Sequence, residues 1–190
     1  DLNREHNVIS VMYNTLKKYG VKKSEVKGAV GKAFAALADY HNEVYNRGEQ
    51  LIAQARQNGQ KIIVLAGRPY HIDKEINHGI QKLITSLGMA VVSEDAVFQH
   101  GHYPHPKVLN QWSYHARLYR AAQYVTTQPD MQLVQLVSFG CGIDAITTDE
   151  VREILESNGK LYTQLKIDEI NNLGAAKIRL RSLVAAMEEK

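Results

Sequence analysis

At 190 residues, with 44% hydrophobic and 23% charged side chains, the chain is sized for one globular domain with an appendage, which excludes a disordered or fibrous protein. A net charge of +3, with its basic residues dispersed and densest at Lys17-Lys18 and Lys22-Lys23, reads as solvated helix ends and argues against a nucleic-acid partner. No apolar run reaches the length of a membrane span and no signal-peptide pattern opens the chain, so no membrane partner and a cytoplasmic location are expected.

Residues 8 to 19 have the spacing of a short amphipathic helix. From Ser24, a plausible N-cap, to the stop signal Asn58-Gly59, apolar residues such as Val26, Val30, Phe34, Leu37, Val44 and Ile52 recur at helical intervals. A helix of that length reaches on the order of 50 Å, too long to pack wholly on a sheet of four short strands. With the absence of an initial methionine, it leads us to expect a segment of a larger protein, divided into a helical region 1–58 and an α/β domain 59–190.

Lys61-Ile-Ile-Val-Leu-Ala66 reads as the first strand. Asp73 then caps a helix with Ile76, Ile80, Leu83, Ile84 and Leu87 on one face, and Gly88 sits at its left-handed C′ position. Met89 to Val92 is the second strand, Ser93 to Lys107 a loop with three histidines and two prolines, and Val108 to Tyr124 a helix. Leu133 to Val137 is the third strand, after which Thr147 with Glu150 forms a capping box for a short helix. Leu161 to Leu165 is the fourth strand, and Leu173 to Met187 a last helix. The order β-α-β-α-β-α-β-α predicts a three-layer α/β sandwich around a four-stranded parallel sheet, flavodoxin- or Rossmann-like, with strand order 2-1-3-4.

Open parallel sheets bind ligands at the carboxyl ends of their strands, where this chain places its most chemical residues. Gly67-Arg68-Pro69-Tyr70-His71 puts a fixed cation, a rigid turn and two hydrogen-bonding rings at the end of the first strand. Arg68 suits a phosphate or carboxylate, or alternatively clamps its own loop by pairing with Asp168 or Glu169. Ser138-Phe139-Gly140-Cys141-Gly142 puts a thiol between two glycines at the end of the third strand, open to a metal or an electrophile or simply buried in a tight turn. Gly140-x-Gly142-x-x-Ala145, with Asp168 beyond the next strand, also fits a dinucleotide fingerprint, although a helix capped at Thr147 starts too late for one. No Gly-x-x-x-x-Gly-Lys phosphate loop is present. His100, His102 and His105 form a weak metal pattern, and Cys141, His71 and Asp168 share the edge that a hydrolytic triad needs but without a nucleophile elbow. The single cysteine excludes an internal disulfide, fits a reducing compartment, and cannot by itself complete an iron-sulfur site.

Five segments carry a family resemblance: Ile63-Val-Leu-Ala-Gly-Arg-Pro-Tyr-His71, Ile76-Asn-His-Gly-Ile80, Gln111-Trp-Ser-Tyr-His-Ala-Arg117, Ser138-Phe-Gly-Cys-Gly-Ile-Asp-Ala145 and Leu165-Lys-Ile-Asp-Glu-Ile-Asn-Asn172. Over about residues 50 to 185 the chain resembles a domain of uncharacterised function in large CoA-substrate-specific enzyme activases, the activators of 2-hydroxyglutaryl-CoA dehydratase. Its implied fold is similar to that of the iron-sulfur dehydratase subunits. The resemblance implies a redox module in CoA-ester metabolism, with Cys141 as one ligand of a [4Fe-4S]-type cluster completed by other segments, and no cofactor in the isolated fragment. Arg68, Tyr70, His71, Gly140, Gly142 and Asp168 would shape the cofactor site. Implied partners are ATPase-like and cysteine-bearing domains of the parent chain, and a CoA ester. ATP hydrolysis and dehydration do not carry over to a fragment without the ATPase part. Binding of CoA or a nucleotide at the sheet edge, or a scaffold role, are the alternatives.

Overall fold

The structure, a computed structural model, describes residues 3–102, 111–138, 142–167 and 173–188. The chain forms two compact units, Asp1–Val44 and Tyr45–Lys190. In the first, helix α1 (Glu5–Leu16) runs into a 3-10 turn at Lys17–Tyr19 that Gly20 ends at φ +82°, a left-handed conformation glycine adopts without a Cβ clash. Helix α2 (Lys23–Gln57) starts one residue before Ser24, the cap expected from the sequence. The Lys22 N–H donates to the Glu25 carboxylate at 2.7 Å while the Lys22 carbonyl accepts the N–H groups of Glu25 and Val26, so Lys22 occupies the cap position and Ser24 lies in the first turn.

The C-terminal turns of α2 belong to the second unit. They bury Ile52 and Ala55 and end at Gly59, whose φ of +66° lets Gln60 N–H reach back to the Ala55 carbonyl at 2.9 Å. Strands β1 (Ile62–Ala66), β2 (Ala90–Ser93), β3 (Met131–Val137) and β4 (Tyr162–Lys166) form one parallel sheet in the order β2-β1-β3-β4, as the sequence predicts. Val64 pairs with Val92 on one side and Leu133 on the other, and Leu133 pairs in turn with Tyr162. Every residue of β1 and β3 is buried, as central parallel strands require, whereas β2 and β4 are partly exposed edges.

Helices α3 (Ile80–Ser86) and α6 (Gly174–Glu188) cover one face, where Ile80, Ile84, Leu180 and Leu183 pack with Ile63, Leu65, Val134 and Leu136. The alternating residues Ile62, Val64 and Leu133 therefore face the other side. There α4 (Ser113–Thr126) and α5 (Gly142–Glu156) pack together and bury Leu118, Ala122, Val125, Val151 and Leu155. The chain leaves β1 toward β2 and leaves β3 toward β4, so the gap between the ends of β1 and β3 is the topological switch point. No helix among the described residues is long and apolar enough to cross a membrane.

Three helix starts differ from their sequence expectation. Asp73 Oδ1 accepts the N–H groups of Glu75 and Ile76, but His78 and Gly79 turn left-handed at φ 54° and 79°, so α3 begins only at Ile80 and Ile76 is exposed. Helix α4 begins at Ser113 with Trp112 outside it, and 108–110 lie outside the described residues. Helix α5 begins at Gly142 rather than at Thr147, whose hydroxyl donates to the Ile143 carbonyl at 2.8 Å from within the helix. The expected 93–107 loop contains 3-10 turns at Glu94–Ala96 and Phe98–His100, and 103–107 lie outside the described residues.

Candidate functional site at the switch point

β1 ends at Ala66, and after Gly67 and Arg68 the chain folds into a 3-10 turn, Pro69–Ile72, with Pro69 at its first position, where a missing N–H costs nothing. The turn brings His71 back over Gly67, so that the Arg68 backbone N–H donates to His71 Nδ1 at 3.0 Å. Nδ1 is thereby an acceptor, which makes His71 the neutral tautomer with its proton on Nε2. Burial lowers the pKa of this ring; Arg68 lowers it further and Asp144 opposes both. His71 Nε2 lies 3.2 Å from Ser138 Oγ at the end of β3 and donates to it. Buried Asn77 fixes the same turn, its Nδ2 donating to the His71 carbonyl at 2.9 Å and its Oδ1 accepting the Gly79 N–H at 2.9 Å.

Arg68 spans the switch point. Its Nη1 donates to Tyr70 Oη at 3.0 Å, and its Nη2 and Nε donate to Asp144 of α5 at 2.8 and 3.2 Å. Both of those bonds fall on Oδ1, while Oδ2 is buried without a hydrogen-bond partner among the described residues. Tyr70 Oη also lies 3.2 Å from Ser138 Oγ. Because Arg68 and His71 both donate into this pair of hydroxyls, one hydroxyl proton is consumed between Tyr70 and Ser138 and the other remains to donate outward. The network thus offers a hydrogen bond to an acceptor at the end of β3.

The predicted residues Arg68, Tyr70 and His71 meet here, and Gly142 opens α5 with none of the other described residues within 4 Å of where a Cβ would be. Gly140, Cys141 and Asp168 lie outside the described residues, as do His105 and Glu169; Cys141 is bonded directly to Gly142. Arg68 pairs with Asp144, while Asp168 and Glu169, the partners expected from the sequence, lie outside the described residues. His71 has both nitrogens engaged, which leaves no lone pair to activate a thiol in a triad. His100 belongs to a separate cluster, bonded to Glu49 at 2.9 Å and stacked on Tyr124, and no group of three metal-binding side chains occurs among the described residues.

Sequence reasoning missed Ser138 and Asp144, which lie within quoted motifs but carry no pattern of their own. It also missed His115 of α4, whose buried Nδ1 has no partner among the described residues and whose pKa burial lowers while Asp144 and Arg68 act on it with opposite signs. Glu94, directly after β2, is buried and pairs with Arg117 Nη2 at 2.9 Å. Burial pushes its carboxyl up to about 7 despite that cation, which itself lies over the Tyr114 ring.

A four-stranded parallel sheet with helices on both faces and a polar network at its switch point defines a doubly wound α/β domain whose polar groups gather where such sheets bind ligands. The family described as the CoA enzyme activase uncharacterised domain matches residues 1–97, just over half of the chain, and the chain belongs to that family. The match takes in α1 through β2 and includes Arg68, Tyr70 and His71, whereas Ser138, Cys141 and Asp144 lie beyond it. Comparison with curated proteins and with solved structures gave no significant match.

Proposed function

We propose that this chain is the α/β module of a CoA enzyme activase-type redox protein serving CoA-ester metabolism, in which Cys141 supplies one ligand of a [4Fe-4S]-type cluster. One cysteine does not fit a complete cluster, so the other thiolates come from further segments of the protein or from a partner. The observation that supports this reading is the Arg68–Tyr70–Ser138–His71 network, which carries an unspent hydroxyl proton three residues before Cys141. Hydrogen bonds near cluster sulfurs tune their reduction potential, and a neutral, immobilised His71 orients the donor without adding a charge. The test is iron, acid-labile sulfide and visible absorbance of the anaerobically purified full-length protein, wild type against Cys141→Ala. Loss of both iron and sulfide in a folded variant is expected, and unchanged content would refute the assignment.

A second reading, binding of an anionic cofactor such as CoA or a nucleotide, is favoured by the start of α5. The helix already runs from Gly142, which removes the objection raised by a cap at Thr147. Calorimetry with CoA and with adenine nucleotides, wild type against Arg68→Ala, tests it; binding that ignores the substitution would overturn it.

A further inference from the structure

We infer that Arg68 is an anion-binding site which the chain's own Asp144 occupies, so that an incoming phosphoryl or carboxylate ligand must displace Asp144 from the guanidinium. The inference rests on the second reading, that the switch-point crevice takes an anion, and adds what holds the site closed.

The ion pair is poorly matched. A carboxylate facing an arginine fork forms two parallel bonds, one to each oxygen. Here Nε and Nη2 both fall on Oδ1, at 3.2 and 2.8 Å. Asp144 is 8% exposed, and its Oδ2 is buried with no partner among the described residues, so its desolvation goes uncompensated. A ligand that presents two or three oxygens, and leaves Asp144 free to turn into water, relieves that cost.

The surroundings favour the exchange. Beside Asp144 stand hydrogen-bond donors: the guanidinium and the spare hydroxyl proton shared by Tyr70 and Ser138. The nearby His71 ring donates through Nε2, and its Nδ1 is already engaged by the Arg68 N–H. Phosphoryl and carboxylate oxygens accept from these donors, and more strongly than uncharged acceptors do. Asp144 therefore sets the threshold, so that only an anion able to outcompete a tethered carboxylate enters.

The test is calorimetric titration of the chain with pyrophosphate at low ionic strength, comparing wild type, Asp144→Asn, and Asp144→Asn with Arg68→Ala. Removing a charge-assisted competitor is expected to tighten pyrophosphate binding about tenfold or more, and the added Arg68→Ala to abolish the gain. Binding no tighter in Asp144→Asn, or equally tight in the double variant, would overturn the inference. Should Asp144→Asn fail to fold, the wild-type chain still decides: excess pyrophosphate must shift the Arg68 Nε–H resonance as Asp144 leaves it, and an unmoved resonance means no displacement and overturns the inference. Pyrophosphate that binds the wild type as tightly as Asp144→Asn overturns the inference and leaves the anion-binding reading standing, whereas no binding to any of the three overturns both.

Discussion

A Cβ on residue 67 would lie 2.5 Å from His71 Nδ1, inside the ring that anchors the 68–72 turn. Gly67→Ala must push His71 out, and overpacking of this kind costs on the order of 1–3 kcal/mol, readable by urea denaturation. The same variant changes the response to acid. The folded state holds His71 below its ordinary pKa of 6.5, so the unfolded chain takes up the proton first and stability falls as pH drops below about 6.5. Once His71 is expelled, that part of the acid sensitivity disappears; an identical pH profile in Gly67→Ala would contradict the packing described. Glu94 acts in the opposite direction. Its carboxyl, raised from 4.5 to about 7, gives stability that is full below the unfolded value and is lost as pH rises through 7. A shift of that size is worth up to ~3 kcal/mol. Glu94→Gln should flatten the fall in melting temperature between about pH 4.5 and 7, and an unaltered slope would exclude Glu94 as its source.

At the scale of elements, the strands and their order were legible because buried parallel strands are near-continuous β-branched runs and the crossover rules leave few topologies. Helix starts were not. Asp73 forms its capping hydrogen bonds as its residue type implies, yet left-handed His78 and Gly79 delay α3, and nothing local to Asp73 announces it. Thr147 and Glu150 carry the letters of a capping box inside a helix that already runs from Gly142, since a threonine hydroxyl bonds equally well to the carbonyl four residues back. At the site, Arg68, Tyr70 and His71 stood out because a strand end is recognisable. Asp144, Ser138 and His115 enter only through the pairing of β1 with β3 and the packing of α4 on α5, contacts between residues far apart in the chain. The 3-10 turn before Gly101 depends on similar long-range fit. A Cβ there would lie 1.9 Å from the Arg120 carbonyl oxygen, so Gly101→Ala should cost at least ~2 kcal/mol. A loss below half that value in denaturant would mean the turn yields freely.

On the scale of the molecule, all four strands and the helices that cover them lie in the Tyr45–Lys190 unit, including the Arg56–Asp130 pair at 2.7 Å that ties the end of α2 to the start of β3. A chain beginning at residue 45 should therefore unfold cooperatively in denaturant, with loss of cooperativity as the contrary result. This unit carries the switch point, and the central claim is that its hydrogen-bond network serves a redox centre held at Cys141. The most direct measurement is a redox titration, followed by electron paramagnetic resonance, of the full-length protein with and without Ser138→Ala. Ser138→Ala takes away the hydroxyl that holds Tyr70 and His71 together, so the account predicts a shifted reduction potential with iron content retained. A wild-type protein without a paramagnetic iron-sulfur signal, or a potential that Ser138→Ala leaves in place, would contradict it.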